Sequence, residues 1–198
     1  MWSLPNILTY IRIIFIPVIF YMLMVYEPNP VMATRYAFVV FVFMSVTDFL
    51  DGKLARRFNL QSEIGRFLDP IADKLLIVAC LVALIQTKFL SWIETVPALV
   101  IILREIFVSG LRDYIAGYNV KIHVSKLAKY KTTLQMISVG FLILGFPFGK
   151  LKLGYASLNV YEHVYTLGQS ILILAAFISV ITAFDYLMVA FKLMKSNK

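Results

Sequence analysis

Cysteine and charged residues are scarce in this chain of 198 residues. Its single cysteine, Cys80, excludes an intrachain disulfide. Cys80 lies in the apolar run LLIVACLVAL, where we expect its side chain to be buried and to pack as a small apolar group. Only 15% of the residues are charged, whereas a typical soluble domain has about 25%. The composition therefore argues against a soluble protein.

Apolar residues take the place of the missing charge. They make up 61% of the chain, and the mean hydropathy is +0.83. We predict an all-α, polytopic membrane protein with six transmembrane helices, forming one domain over residues 1–198. The apolar segments lie near 4–26, 32–56, 64–87, 94–117, 127–149 and 164–191.

Basic residues predict how these segments are oriented. Twelve Lys and Arg residues, including 56–57 and the four lysines in 121–131, fall on one side of the predicted membrane, and four fall on the other. Because Lys and Arg accumulate in cytoplasmic loops, both termini are expected in the cytoplasm. The protein is then expected to be an integral, multi-pass membrane protein.

The formal net charge of +8 is explained by these loops and their attraction to anionic lipid headgroups. Nucleic-acid binding is not needed to account for it. The first basic residue, Arg12, lies inside the first apolar run rather than before it, so we expect the N-terminus to be retained instead of cleaved as a signal peptide.

Acidic residues concentrate in one short region. Four of the six aspartates are Asp48, Asp51, Asp69 and Asp73, in two pairs whose spacings place each pair on one helix face. One interpretation is ion pairing with nearby Lys and Arg in a solvated loop. Burial of four carboxylates near a membrane favours bound cations instead, and an oxygen-only ligand set suits Mg²⁺ or Mn²⁺, with two ions in the site.

The residues between the aspartates predict a narrow binding slot. Gly52, Ala55 and Gly65 leave little bulk on the helix faces that carry the aspartates. Arg56 offers a planar guanidinium for phosphate oxygens. A diphosphate with an attached base would fit such a slot.

The aspartates, Gly52, Ala55, Arg56 and Gly65 match the pattern D-x2-D-G-x2-A-R-x8-G-x3-D-x3-D at every fixed position. In this the chain resembles the CDP-alcohol phosphotransferases. The resemblance implies that Asp48, Asp51 and Asp69 bind the metals, and that Asp73 assists the second metal and acts as general base. It further implies a homodimer and contacts to the CDP group, which are assigned to Asn6, Thr9, Gly52, Ala55, Arg56, Ser62 and Gly65.

Two later segments bear on the acceptor alcohol. LREIFVSGLRDY and SKLAKYKTTLQM carry the cations Arg104, Arg112, Lys129 and Lys131, which favour a phosphorylated acceptor. Both segments resemble those of bacterial family members that transfer the phosphatidyl group of CDP-diacylglycerol to glycerol 3-phosphate. Lys129 and Lys131 would point about 200° apart on one helix, so either the helix starts after them or one faces the membrane surface.

Two alternatives remain open. The chain could be a family member with a different acceptor, such as inositol phosphate, serine or phosphatidylglycerol. It could also be a divalent-cation transporter that uses the carboxylates as an ion site, although a transporter would need acidic residues along a pore rather than near one face.

Overall fold

The computed structural model describes residues 4–25, 30–57, 63–87, 90–118, 126–145 and 158–196. Within these it describes the helical backbone but not the side chains of 4–5, 30–31, 49–57, 63, 66, 126, 128, 158–159 and 196. The described residues form six α-helices, as the sequence predicts. These are α1 (Leu4–Met24), α2 (Pro30–Arg57), α3 (Glu63–Gln86), α4 (Trp92–Ala116), α5 (Lys126–Gly145) and α6 (Leu158–Ser196).

Two of the described helices are long and apolar enough to cross a membrane, with the qualifying segments Asn6–Met24 and Val160–Lys195. Each has a mean hydropathy of 2.2. Large apolar side chains are exposed on these and other helices, for example Phe67 at 69% and Phe177 at 65%. Such exposure suits lipid-facing surfaces, and membrane crossing by the other four helices stays a prediction.

The chain divides into two compact units. Unit 1 comprises Met1–Leu90 and Val139–Gly168, and unit 2 comprises Ser91–Ser138 and Gln169–Lys198. Helices α5 and α6 each contribute residues to both units. The expectation of one domain over 1–198 stays a prediction.

In unit 1, α1 packs against both α2 and α3. Ile16, Ile19 and Leu23 recur at three- and four-residue intervals on α1, so they share a face, and all three are buried. Leu76 and Leu84 of α3 are buried as well. This packing fixes α1 beside the helices that carry the aspartates.

Close helix contacts in unit 1 depend on glycine. A Cβ atom at Gly145 of α5 would lie 2.7 Å from Cβ and 2.8 Å from Cα of Tyr165 on α6. A Cβ atom at Gly168 would lie 3.1 Å from the backbone nitrogen of Leu142. The two helices therefore approach each other so closely that a side chain at Gly145 would force their backbones apart.

In unit 2, α4 begins at a polar contact. Ser91 precedes the helix and its hydroxyl donates to the carboxylate of Glu94, which also accepts a hydrogen bond from Gln169 Nε2 at 2.7 Å. Glu94 is only 5% exposed. These bonds link the start of α4 to α6 within the unit.

Candidate active site

A polar stripe runs along the otherwise apolar helix α1. Asn6, Thr9 and Arg12 follow one another at three-residue intervals, which places them along one helix face. Each is only 2% exposed. The stripe therefore lies inside unit 1 rather than against lipid.

Three of the predicted aspartates meet this stripe. Arg12 Nη1 donates to Oδ1 of Asp48 on α2 at 3.0 Å and to Oδ1 of Asp73 on α3 at 3.1 Å. Thr9 Oγ1 donates to Oδ1 of Asp69. The structure thus brings carboxylates from two helices together against the third, while the roles assigned to them stay predictions.

Arg12 is the site residue that the sequence reasoning missed. Its side chain is 2% exposed, while those of Asp48 and Asp73 are 27% and 30% exposed. An arginine inside an apolar run requires a polar or charged partner, and this was the signal that could have found it. The three-residue spacing of Arg12, Thr9 and Asn6 likewise indicates a polar face on this apolar helix.

Several predicted contacts fall outside what the structure describes. The backbone of α2 carries Asp51, Gly52, Ala55 and Arg56, but their side chains are not described, and Ser62 lies outside the described residues. Gly65, near the start of α3, is buried. The slot around these residues stays a prediction.

The described carboxylates are suited to a cation. No group of three Asp, Glu, His or Cys side chains forms a ready metal site within the described part of the chain, which excludes the side chain of Asp51. However, one positively charged nitrogen of Arg12 already bridges Asp48 and Asp73. Hard carboxylate oxygens that bridge one cation provide the ligand chemistry that Mg²⁺ or Mn²⁺ requires.

The predicted acceptor residues occupy unit 2, where a buried polar cluster joins three helices. Arg104 of α4 donates from Nε to the carbonyl of Ser179 at 3.1 Å and from Nη2 to Thr182 Oγ1 at 2.9 Å, both on α6. Its Nη1 lies 3.3 Å from Oε1 of Glu105, and that oxygen also accepts from Lys131 Nζ on α5. We call Arg104, Glu105, Lys131, Ser179 and Thr182 the buried polar cluster.

The two predicted lysines of α5 have different surroundings. Helix α5 starts at Lys126, so both residues are helical and face in different directions, which excludes a helix that starts after them. Lys131 is 3% exposed and pairs with Glu105, whereas Lys129 is exposed. Arg112 is also exposed, with its guanidinium carbon 5.9 Å from the ring centre of Tyr186.

Comparison with known proteins covers nearly the whole chain. The sequence pattern that defines the family CDP-alcohol phosphatidyltransferase matches residues 2–191. A protein of Rickettsia typhi is 40% identical over 186 residues, 94% of this chain and 96% of its own length. One from Rickettsia bellii is 41% identical over 93% of both chains, and one from Escherichia coli is 40% identical over 72% of this chain and 77% of its own length. All three are named CDP-diacylglycerol--glycerol-3-phosphate 3-phosphatidyltransferase.

Proposed function

Because this chain belongs to the CDP-alcohol phosphatidyltransferase family, we propose that it transfers the phosphatidyl group of CDP-diacylglycerol to glycerol 3-phosphate. The products are phosphatidylglycerophosphate, a precursor in phospholipid biosynthesis, and CMP. The observation that carries the proposal is the convergence of Asp48, Asp69 and Asp73 in a chain whose relatives are named for this reaction. The enzyme is a membrane transferase.

A divalent metal ion is required by this family. We assign its binding to Asp48, Asp51, Asp69 and Asp73, with two ions of Mg²⁺ or Mn²⁺ per site. Bound there, the metal would offset the negative charge of the diphosphate and of the departing CMP. The bridging of Asp48 and Asp73 by a positively charged nitrogen supports the choice of these oxygens.

Asp73 is proposed as the general base. It takes the proton from the acceptor hydroxyl, whose oxygen then attacks the phosphorus attached to diacylglycerol. The new oxygen–phosphorus bond forms as the bond to the CMP oxygen breaks, so CMP leaves with the electron pair. The half-buried side chain of Asp73 lies one turn from Asp69 on α3, which supports a base beside the proposed metal ligands.

The CDP group is assigned to residues of α1, α2 and the start of α3. Asn6 and Thr9 contribute from the buried stripe of α1, and the close contact of Thr9 with Asp69 supports a place at the metal edge of the site. The other proposed contacts are Gly52, Ala55, Arg56, Ser62 and Gly65.

The acceptor phosphate is assigned to Arg104, Arg112, Lys129 and Lys131. The buried polar cluster contains two cations, Arg104 and Lys131, and one carboxylate, Glu105. Its net positive charge supports an anionic acceptor, since a buried excess cation is costly without a counter-charge. Serine and phosphatidylglycerol offer no phosphomonoester for such a cluster, while inositol phosphate would.

In the membrane, we propose that all six helices span the bilayer, with both termini and the aspartates on the cytoplasmic side of the inner membrane. The uneven distribution of Lys and Arg supports this orientation. A homodimer is proposed from the family alone.

The decisive experiment uses purified protein in detergent with labelled CDP-diacylglycerol and Mg²⁺ or Mn²⁺. Glycerol 3-phosphate, inositol phosphate, serine and phosphatidylglycerol are offered separately, and release of CMP and formation of lipid product are measured. We expect turnover with glycerol 3-phosphate alone, loss of turnover with a chelator, and recovery when the metal is restored. Turnover with inositol phosphate and not with glycerol 3-phosphate would identify inositol phosphate as the acceptor. Absence of turnover with every alcohol would favour the transporter alternative.

A further inference from the structure

The side chain of Arg12 bridges two of the four predicted metal ligands. One nitrogen, Nη1, lies 3.0 Å from Oδ1 of Asp48 and 3.1 Å from Oδ1 of Asp73, and the arginine is 2% exposed. The two carboxylates come from different helices, α2 and α3, and both belong to the proposed metal ligands. A protein cation therefore sits where the family's metal is expected to bind.

The guanidinium and a metal ion cannot hold the same carboxylate oxygens in the same way. Mg²⁺ requires oxygen ligands at about 2.0 to 2.1 Å in a near-octahedral arrangement, which leaves no space for a hydrogen-bonded nitrogen between the two oxygens. Two positive centres this close also repel each other, and the repulsion is strong where water is largely excluded. A metal ion that binds these two Oδ1 atoms therefore requires Arg12 to move.

We propose that Arg12 is an internal counter-ion of the aspartate cluster, and that a divalent metal ion displaces it from Asp48 and Asp73 when it binds. This inference rests on the proposed metal site. Arg12 stabilises the metal-free protein by neutralising two carboxylates, and for the same reason it weakens metal binding. Arg12 is thus a positioning residue for the metal ligands.

The test measures Mn²⁺ affinity of the full-length protein in detergent without substrates, from the electron paramagnetic resonance signal of free Mn²⁺. Replacement Arg12→Gln should tighten binding by about tenfold, because it removes a competing positive charge. Arg12→Lys should bind Mn²⁺ nearly as the wild type does, since both contacts come from one nitrogen and an ammonium group can replace it.

Arg35→Gln is the matched control. It removes the same charge from an exposed position on α2, about 20 Å along the helix axis from Asp48 at ~1.5 Å per residue. Its Mn²⁺ affinity should equal that of the wild type. Equal tightening in Arg35→Gln and Arg12→Gln would indicate a general charge effect and overturn the inference.

The remaining outcomes separate the inference from the proposed function. If Arg12→Gln weakens Mn²⁺ binding or leaves it unchanged, the counter-ion role is overturned and the proposed metal site is kept. Absence of Mn²⁺ binding in the wild type overturns the metal site and the inference together. If Arg12→Gln does not fold, the wild-type protein is tested instead, by modifying its arginines with phenylglyoxal and quantifying the modification by peptide mass spectrometry. Mn²⁺ should increase modification of Arg12 and not of Arg35. No increase at Arg12 contradicts the inference.

Discussion

Asp69 and Asp73 lie one turn apart on α3 and contact different side chains of α1. Asp69 accepts a hydrogen bond from the hydroxyl of Thr9, whereas Asp73 accepts one from the guanidinium of Arg12. A neutral donor and a cation hold the two carboxylates in different ways. At the scale of single residues, we therefore expect the aspartates to respond differently to substitution.

The first prediction concerns Asp73. Asp73→Asn should lower kcat by about 10²- to 10⁴-fold, as expected for loss of a general base, while CDP-diacylglycerol binding is largely kept. CMP release and equilibrium binding of the lipid are measured on the same preparation. Asp185→Asn, at an exposed position on α6, is the control and should remain active. Normal turnover in Asp73→Asn would exclude the base role.

The sequence predicted these aspartates from their spacing, but not their protein partners. Helical spacing identifies residues that share a face, which is why Asp69 and Asp73 could be paired in advance. The partner of Asp73 is Arg12, 61 positions away in the chain. Such a contact depends on how α1 packs against α2 and α3, and no local pattern encodes it.

At the scale of helices, the buried polar cluster and the glycine contact are the two features that hold elements together. In unit 2, Glu105 of α4 is bonded to Lys131 of α5, and Arg104 ties the same region to α6. In unit 1, Gly145 allows α5 to touch α6 at Tyr165. One is an electrostatic contact and the other is steric, so substitutions test them separately.

The second prediction concerns the electrostatic contact. Glu105→Gln leaves the buried ammonium of Lys131 without its anion and should lower the free energy of unfolding by on the order of 3 kcal/mol. Thermal unfolding of the detergent-solubilised protein is followed by tryptophan fluorescence. Glu162→Gln removes the same charge from an exposed site on α6 and should change little. Equal stability of both variants would contradict a structural role for Glu105.

The third prediction concerns the steric contact. Gly145→Ala places a methyl group against the backbone of Tyr165 and should destabilise the protein by about 1 to 3 kcal/mol, the usual cost of overpacking. Gly110→Ala, inside α4 with nothing within 4 Å of the new Cβ atom, should be neutral or stabilising by about 0.5 to 1 kcal/mol. Melting temperatures of the two variants are compared. A stable Gly145→Ala protein would show that the helices can separate without cost.

At the scale of the whole molecule, helix α6 is longer than the apolar segment that hydropathy predicts. The apolar segment covers 164–191, but the helix runs from Leu158 to Ser196, 39 residues or about 58 Å at ~1.5 Å per residue. Hydropathy reports only the part suited to lipid, while backbone hydrogen bonds continue the helix through polar residues such as Glu162 and Lys195. The number of helices was predictable for this reason, and the ends of the first five lie within four residues of the predicted segments, whereas α6 begins six residues earlier and ends five residues later than predicted.

The fourth prediction concerns orientation. A fluorescent protein that matures only in the cytoplasm should fluoresce when fused to the C-terminus, and alkaline phosphatase, which is active only outside the cytoplasm, should be inactive at the same position. The reason is the excess of basic residues on the predicted cytoplasmic side, including Lys192 and Lys195 near the end of α6. Active alkaline phosphatase at the C-terminus would reverse the orientation.

The contact between Arg12 and Asp48 also has a consequence for biogenesis. Both residues belong to the first two helices, which emerge from the ribosome before α3, the helix that carries Asp69 and Asp73. An isolated arginine or aspartate at the centre of a bilayer costs about 2.5 to 3.5 kcal/mol on insertion scales. If α1 and α2 enter the membrane as a pair, each supplies the other's missing charge, and the first hairpin of the nascent chain is electrically balanced at this point.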